Sequence, residues 1–356
     1  MYTANSIVKL LAVGDIMLGD SPKTIGYGVA SITKKKGPQH LFEKFDCQKS
    51  DIFLGNLECV VSSLGIDVNN IDTLEMRASP EVIDELKKIG INILSVANNH
   101  INQHGPEVYE DTINTLRNKL IKVIGVKPVD GNETRLHSES ICCEINGVKL
   151  CFAGYSMEKE RYYPNDIRYS KVNSAQIIHD VTLLKEGNDH VIVSIHWGDE
   201  FVKIPNPEII SIAHKIIDAG ASIILGHHPH VIQPVENYND KIIAYSLGNF
   251  VTDMLWNPIT KQGILLEIYL DKGGVYLSRT AVIETNEYCQ PYIGHQNAED
   301  ILVNCIESIP NYNEYRKSQA RNNRVACYRY ILKNITKYKA KLFLQMIGKV
   351  LKNIID

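Results

Sequence analysis

The chain predicts an α/β fold, and two features of its pattern carry that prediction. Short apolar runs rich in β-branched residues alternate with segments of helical period along most of the sequence. Strand after strand also stays apolar until its C-terminal end, then closes on polar residues or a turn signal. In α/β sheets that end is where ligands bind.

Taken in order, VKLLAVG (8–14) reads as a buried strand leading into a Gly-Asp loop, and DIFLGNLE (51–58) as a second strand. SPEVIDELKKIG (79–90) reads as a helix, with Ser79 to cap it, Pro80 in its first turn and Gly90 to stop it. INILSVANNH (91–100) is a strand running straight into Asn-Asn-His. Residues 106–119 are helical, and IKVIGV is a strand. ESICCEINGVKLCFAGYS (139–156) is a hairpin turning at Asn146-Gly147. Residues 174–187 form a helix, HVIVSIHWGDE (190–200) a strand, PEIISIAHKIIDAG (207–220) an amphipathic helix, and ASIILGHHPH (221–230) a strand ending in three histidines. KIIAYSLGNF (241–250) reads as one strand, and residues 263–284 as a hairpin turning at Gly273-Gly274. Strands are expected to give way to helices near 285–297, which divides the chain into a unit over 7–290 and a basic helical extension over 298–356.

Composition narrows the class. With 356 residues, 44% hydrophobic and 22% charged, the chain is globular. Eleven Lys and Arg between Arg316 and Asp356 face a single acid, a net of about +10 within an overall −3. The eight cysteines form no CxxC pair, and several lie inside strand-like runs, so free thiols in a reducing compartment are expected. The start, MYTANSIVKLLAVGD, lacks the charged beginning and long apolar run of a leader. No stretch approaches the length of a membrane helix, so the expected location is the cytoplasm.

The strand ends supply Asp15, Asn56, Glu58, Asn98 to His100, His196, His227, His228 and His230. Imidazole with carboxylate and amide oxygens suits Mn, Fe or Zn, one ion or two. Two ions about 3.5–4 Å apart can clamp an in-line displacement at phosphorus. A Gly-Asp pair is most often a turn and a single strand histidine most often a core group. Three histidines in four residues, in this order of strands, are harder to assign to packing.

The motifs VGDIMLGD, GNLE, MRASPE, LSVANNHINQHG, VSIHWGDEF, LGHHPHVIQPVE and IAYSLGNF resemble the CapA-type capsule-synthesis (poly-gamma-glutamate synthesis) family, itself similar to calcineurin-like metallophosphoesterases. The resemblance covers roughly residues 7–284. It implies a metallophosphoesterase-like sandwich of two mixed β-sheets flanked by helices. It also implies metal ligation by Asp15, Asn56, Glu58, Asn99, His196, His227 and His230, with His100 as proton donor to the leaving group. Met17 stands where the superfamily has a ligating His, and Asn56 where it has the metal-bridging Asp; Glu58, two residues on, is the anionic substitute. One extra residue separates His227 from His230, which leaves open which of the three histidines bind metal. Arg77, Glu200, His228 and Asn249 are the expected substrate contacts, and Trp197 either walls the pocket or packs in the core.

Two classes of function follow. One is a divalent-metal-dependent hydrolase of phosphoester, or alternatively amide, bonds linked to capsule or exopolymer synthesis, with a surface-polymer or phosphorylated small-molecule substrate. The other is a non-catalytic assembly subunit of a membrane-associated polymer synthase or exporter. The basic C-terminal helices either dock on the sandwich, lie at a membrane surface, or meet a membrane-protein partner. No nucleic-acid motif accompanies their charge.

Overall fold

The computed structural model describes residues 6–129, 136–307 and 309–355; the first five residues of the segment read as lacking leader features, and Asp356 of the basic tail, lie outside it. Two mixed sheets stack face to face. In the first, the order is Pro291–Asn297, Gly274–Thr285, Gln262–Asp271, Val8–Ile16, Ile52–Leu57, Ile93–Ser95, Lys122–Ile124, with Asn249–Val251 alongside the end of Val8–Ile16. In the second it is Leu302–Val303, Val235–Tyr238, Lys241–Ala244, Ile223–His227, His190–His196, Val148–Ser156, Ile141–Ile145. The central strands of both are parallel. They are covered on both faces, which is why they read as unbroken apolar runs rather than alternating ones.

Leu10, Leu54 and Ile93 of one sheet meet Leu150, Ile192 and Leu225 of the other. Each such side chain contributes about 1.5–3 kcal/mol by burial. The outer faces are closed by helices: Val82–Lys88 and Pro106–Asn118 bring Ile83, Leu86, Ile113 and Leu116 to the first sheet. Ser174–Lys185 and Pro207–Asp218 bring Ile177, Val181, Ile212 and Ile216 to the second. Asn173 and Gln176 form a reciprocal capping box, and Asn206 accepts from the Glu208 amide just before Pro207.

Several expectations need correction. The Val82–Lys88 helix starts after Glu81, so Ser79 does not cap it. The 241–250 run is two strands: Lys241–Ala244 lies in the second sheet, and the chain crosses at Tyr245–Gly248 so that Asn249–Val251 pairs in the first. The second hairpin turns at Lys272-Gly273, because Gly274 already pairs with Asp271. The sheets run on to Val303, past the expected change near 285–297, since Pro291–Asn297 and Leu302–Val303 each find an edge to pair with. Cys142 and Cys151 are a disulfide rather than free thiols, because they sit opposite one another across the Ile141–Ile145 and Val148–Ser156 strands. The other six cysteines are free.

The basic helices Tyr312–Lys333 and Ala340–Ile355 dock on the body. Cys327, Ile331, Leu342 and Met346 pack with Ile25, Ile71 and Trp256, while Lys333, Lys337, Lys339 and Lys341 stay exposed. The Trp256 indole donates to Asn323 Oδ1 at 3.0 Å in this buried seam. No helix among the described residues is long and apolar enough to cross a membrane.

Candidate metal centre

The parallel strands of both sheets point their C-terminal ends to one rim. In the first sheet Asp15, Asn56 and Ser95 stand at neighbouring register positions, and Asn249 joins from the crossover strand. In the second, His227 lies beside His196 and His196 beside Ser156. Close approach of the chains requires glycine here: a Cβ at Gly14 would lie 1.9 Å from the Gly248 carbonyl oxygen, and one at Gly226 2.0 Å from that of Tyr245. Beyond His227 the backbone takes positive φ at His228 (96°) and His230 (56°). Such strain in non-glycine residues persists where the surroundings over-determine it, commonly at functional sites. It lets the extra residue be absorbed while both rings face the centre.

Asp15, Asn56, Glu58, Asn99, His196, His227, His228 and His230 are all buried together. Ligand-type atoms of Asp15, Glu58 and His196 lie within 4.8 Å of one another, and so do those of Glu58, His228 and His230. Glu58 is common to both groups. Its Oε1 lies 3.6 Å from His196 Nε2 and 3.6 Å from His230 Nε2, and neither of its oxygens has a hydrogen-bond partner. His227 Nδ1 is 3.4 Å from Asp15 Oδ1, and both His227 ring nitrogens are likewise unpartnered. Buried polar atoms are ordinarily satisfied, because leaving one bare costs about 1–3 kcal/mol. A cluster of bare acceptors around a buried carboxylate fits a cation.

The remaining contacts orient these groups. Asn56 Nδ2 donates to Asp15 Oδ1 at 2.8 Å, and Asn98 Nδ2 donates to Asn56 Oδ1 and to the Leu57 carbonyl. Asn99 Oδ1 lies 2.9 Å from His196 Nε2. Asn249 is fully buried, with Oδ1 3.1 Å from His230 Nδ1 and its Nδ2 donated to the His230 and Thr260 carbonyls. It therefore holds His230 in place and has no free donor on this side for a substrate.

Electrostatics divides the centre. Burial pushes the Asp15 carboxyl up, but His227 and His230 outweigh it and hold Asp15 well below the usual carboxylate range. Burial raises the Glu58 carboxyl well above its ordinary value, opposed by His230 and reinforced by Asp15. Burial lowers His230, yet Glu58 and Asp15 pull it up to about 10. Burial drives His196 well down and His228 to about 4. Without a cation the acids thus favour a proton on His230, while His196 and His228 favour the neutral form that can donate a lone pair; a cation at Glu58 would take the place of the His230 proton.

His100 sits at the mouth, its Nδ1 2.7 Å from Gln103 Oε1 and its ring 6.1 Å from that of Tyr162. Burial lowers the His100 imidazole below its ordinary value, opposed by Gln103 and reinforced by His230. Burial raises the Glu200 carboxyl, but His228, His230 and Lys23 pull it below its ordinary value. Arg77 is not part of this group: it lines a separate cavity, and its guanidinium donates to the Thr73 carbonyl. Trp197 is wholly buried in the second sheet's outer core and donates to the Tyr245 carbonyl, so it does not wall the pocket. Met17 packs in the first sheet's core and offers no ligand.

Residues that the sequence reading passed over also border the centre. Glu158 Oε2 lies 3.7 Å from His228 Nε2, its carboxyl pushed up to about 7 by burial and by Glu200. It follows the Val148–Ser156 strand, so the strand-end rule could have found it. Gln103 stands three residues after His100 in a polar run, a spacing that itself suggests contact.

The family described as bacterial capsule synthesis protein PGA_cap matches residues 9–254. Over 289 residues the chain is 28% identical to the PGA biosynthesis protein CapA of Bacillus subtilis (strain 168), covering 80% of this chain and 73% of that protein. It is 30% identical over 289 residues to the capsule biosynthesis protein CapA of Bacillus anthracis, covering 77% of this chain and 66% of that protein. A solved phosphatase from Mycoplasma pneumoniae aligns over 81% of this chain and 94% of its own, with a TM-score of 0.47 and 13% identity, a likeness too distant to argue from. With the match reaching every strand end of the rim, this chain belongs to the bacterial capsule synthesis protein PGA_cap family.

Proposed function

We propose that the chain is a divalent-metal-dependent hydrolase of phosphoester bonds that serves capsule or poly-gamma-glutamate-like polymer production. The polymer role follows the names of its relatives, and the chemistry follows the site. The observation that carries the reading is Glu58: a buried carboxylate with both oxygens bare, shared by two ligand groups. Asp15, Glu58 and His196 would form one ligand set, and Glu58, His228 and His230 the other, with His227 and Asn99 at their edges. Glu58, common to both sets, would supply the shared carboxylate that Asn56 lacks; the Asn56 amide donates to Asp15 instead.

Mn, Fe or Zn held there supplies Lewis acidity toward a phosphoryl oxygen and makes a water more acidic. The chain's own residues do the rest. Gln103 Oε1 accepts from His100 Nδ1 and keeps a proton there, so a second proton taken up at Nε2 makes the imidazolium that would give it to the leaving oxygen. Asn249 and Asn99 fix the His230 and His196 rings. Glu158, beside His228, and Glu200, coupled by charge to His228 and His230, would disfavour extra negative charge on that side of the centre.

The test is metal content of the purified protein together with turnover of bis(p-nitrophenyl) phosphate in added manganese. About one or two equivalents of metal are expected, and His100→Asn should lower turnover by roughly 10²–10⁴ while keeping the metal. Absence of both metal and turnover would sink the reading. Met17, buried where a ligand would be useful, favours the second reading: a non-catalytic assembly subunit. In that case a membrane partner should be recovered equally well with His196→Ala.

A further inference from the structure

Arg77, set aside from the metal centre, has a site of its own. Its side chain is 5% exposed, its Nε has no hydrogen-bond partner, and its contact is one bond from NH1 to the Thr73 carbonyl at 3.2 Å. Among the described residues the guanidinium makes no ion pair; it feels the charge of Asp111 without bonding to it. A buried cation without a carboxylate is costly, and arginine's fork matches a carboxylate or phosphate. Arg77 borders a cavity of about 580 Å³ between the Val29–Lys36 helix, the 63–82 segment and the start of the Ala340–Ile355 helix. Ile25, Leu74, Val82 and Leu342 give it apolar walls, and Lys34 and Lys339 add two further cations. Ile66 and Val68, which also line it, are 42% and 52% exposed, so the apolar lining continues to the surface. Two acids border it as well. The Asp20 carboxylate is already spent on the Gly26 amide and on Ser31, and Glu81 lies in the solvent.

We propose that this cavity binds an anionic amphiphile, with a phosphate or carboxylate head on Arg77 and a single hydrocarbon chain along the apolar walls. The volume is that of an ordinary small-molecule site. This site does not depend on the hydrolase reading, because none of its groups touches the metal centre.

Calorimetric titration of the intact protein with dodecyl phosphate and with dodecanoate, below micelle formation, tests it; comparing the two tells which head is preferred. Saturable binding is expected for at least one of them. Dodecanol and inorganic phosphate, each lacking one half of the ligand, should bind at least about ten-fold more weakly. Arg77→Gln should weaken the anion by a similar factor. Should that variant fail to fold, Ile66→Glu, a substitution at an exposed position of the lining, should weaken the anion by a larger factor than it weakens dodecanol. The proposal is overturned if neither alkyl anion saturates, if dodecanol or inorganic phosphate binds as tightly as they do, or if the folded variants bind the anion as the parent does.

Discussion

Glu58 concentrates the cost and the use of the site in one side chain. Without a cation it is a buried carboxyl whose ionised form is strongly disfavoured by burial. Glu58→Gln removes that burden at constant shape, so the metal-free variant should melt at or above the parent's temperature. Saturating manganese should then raise the parent's melting point and not the variant's. At a hundred-fold excess over Kd the gain is about 2.7 kcal/mol, which corresponds to several degrees for a domain of this size. Equal metal shifts in both proteins would remove Glu58 from the ligand set. Asp253 makes a second residue-level test away from the centre. Burial and the nearby Asp20 push its carboxyl up to about 6, while the Ser21 amide and the Thr24 hydroxyl donate to it. The folded state therefore holds this proton above the pH at which the unfolded chain releases it. Stability contributed by the neutral form is full below about pH 3.9 and is lost as pH rises through about 6, an effect on the order of 3 kcal/mol. Asp253→Asn should gain stability relative to the parent as urea melts are moved from pH 4.5 to pH 7.5. A parallel pair of stability curves would show that Asp253 does not titrate in this window. The residues now proposed as ligands stood out in the sequence because acids, amides and histidines at strand ends are unusual, and the structure brings them together. Asn249 was placed on the correct rim, but its service to His230 depends on a side-chain orientation that no spacing encodes.

At the scale of elements, long apolar strands and capped helices were readable, while the connections that build the rim were less so. The run from Lys241 to Phe250 looks continuous because residues on both sides of the break are buried, each in a different sheet. The Val29–Lys36 helix was missed since it buries few residues and carries three lysines in its last turn. The rim itself depends on two backbones passing close together at Gly226 and Tyr245. A methyl group at Gly226 meets the Tyr245 carbonyl at 2.0 Å; Gly226 is held in its sheet beside Ile195, and the crossover is tied to it by the Tyr245 amide on the Pro234 carbonyl and the Leu247 amide on the Gly226 carbonyl. Gly226→Ala should cost about 3 kcal/mol or more through this overlap, and it should displace His227 and His228 with it. Urea unfolding and metal content read the two effects together. A variant with unchanged stability and full metal would mean that the strands can separate without loss.

The whole molecule ties its basic C-terminal helices to the mouth of the site. Lys349 Nζ, from the Ala340–Ile355 helix, pairs with Asp72 and lies 2.9 Å from Glu75 Oε1. The same Glu75 oxygen accepts from Gln103 Nε2 at 2.8 Å, and Gln103 Oε1 holds His100. The charge asymmetry was plain in the sequence, but its destination was not, because ion pairs between residues 274 positions apart leave no local pattern. Glu75 is buried, and burial raises its carboxyl despite Lys349. Removing Lys349 alone leaves an unpaired acid beneath the helix, whereas removing both charges leaves a neutral contact. In a double-mutant cycle of Lys349→Met and Glu75→Gln, the single lysine change should therefore be worse than the double. The coupling should be about 1–2 kcal/mol in chemical unfolding. A purely structural anchor predicts only that energy. Transmission along the chain of contacts predicts also that Lys349→Met lowers kcat on a phosphodiester with little change in KM, because Glu75, freed from Lys349, no longer holds the Gln103 amide in the orientation that serves His100. Additive stabilities, with kcat unchanged in the single variant, would mean that the helices sit on the sandwich without reaching its chemistry.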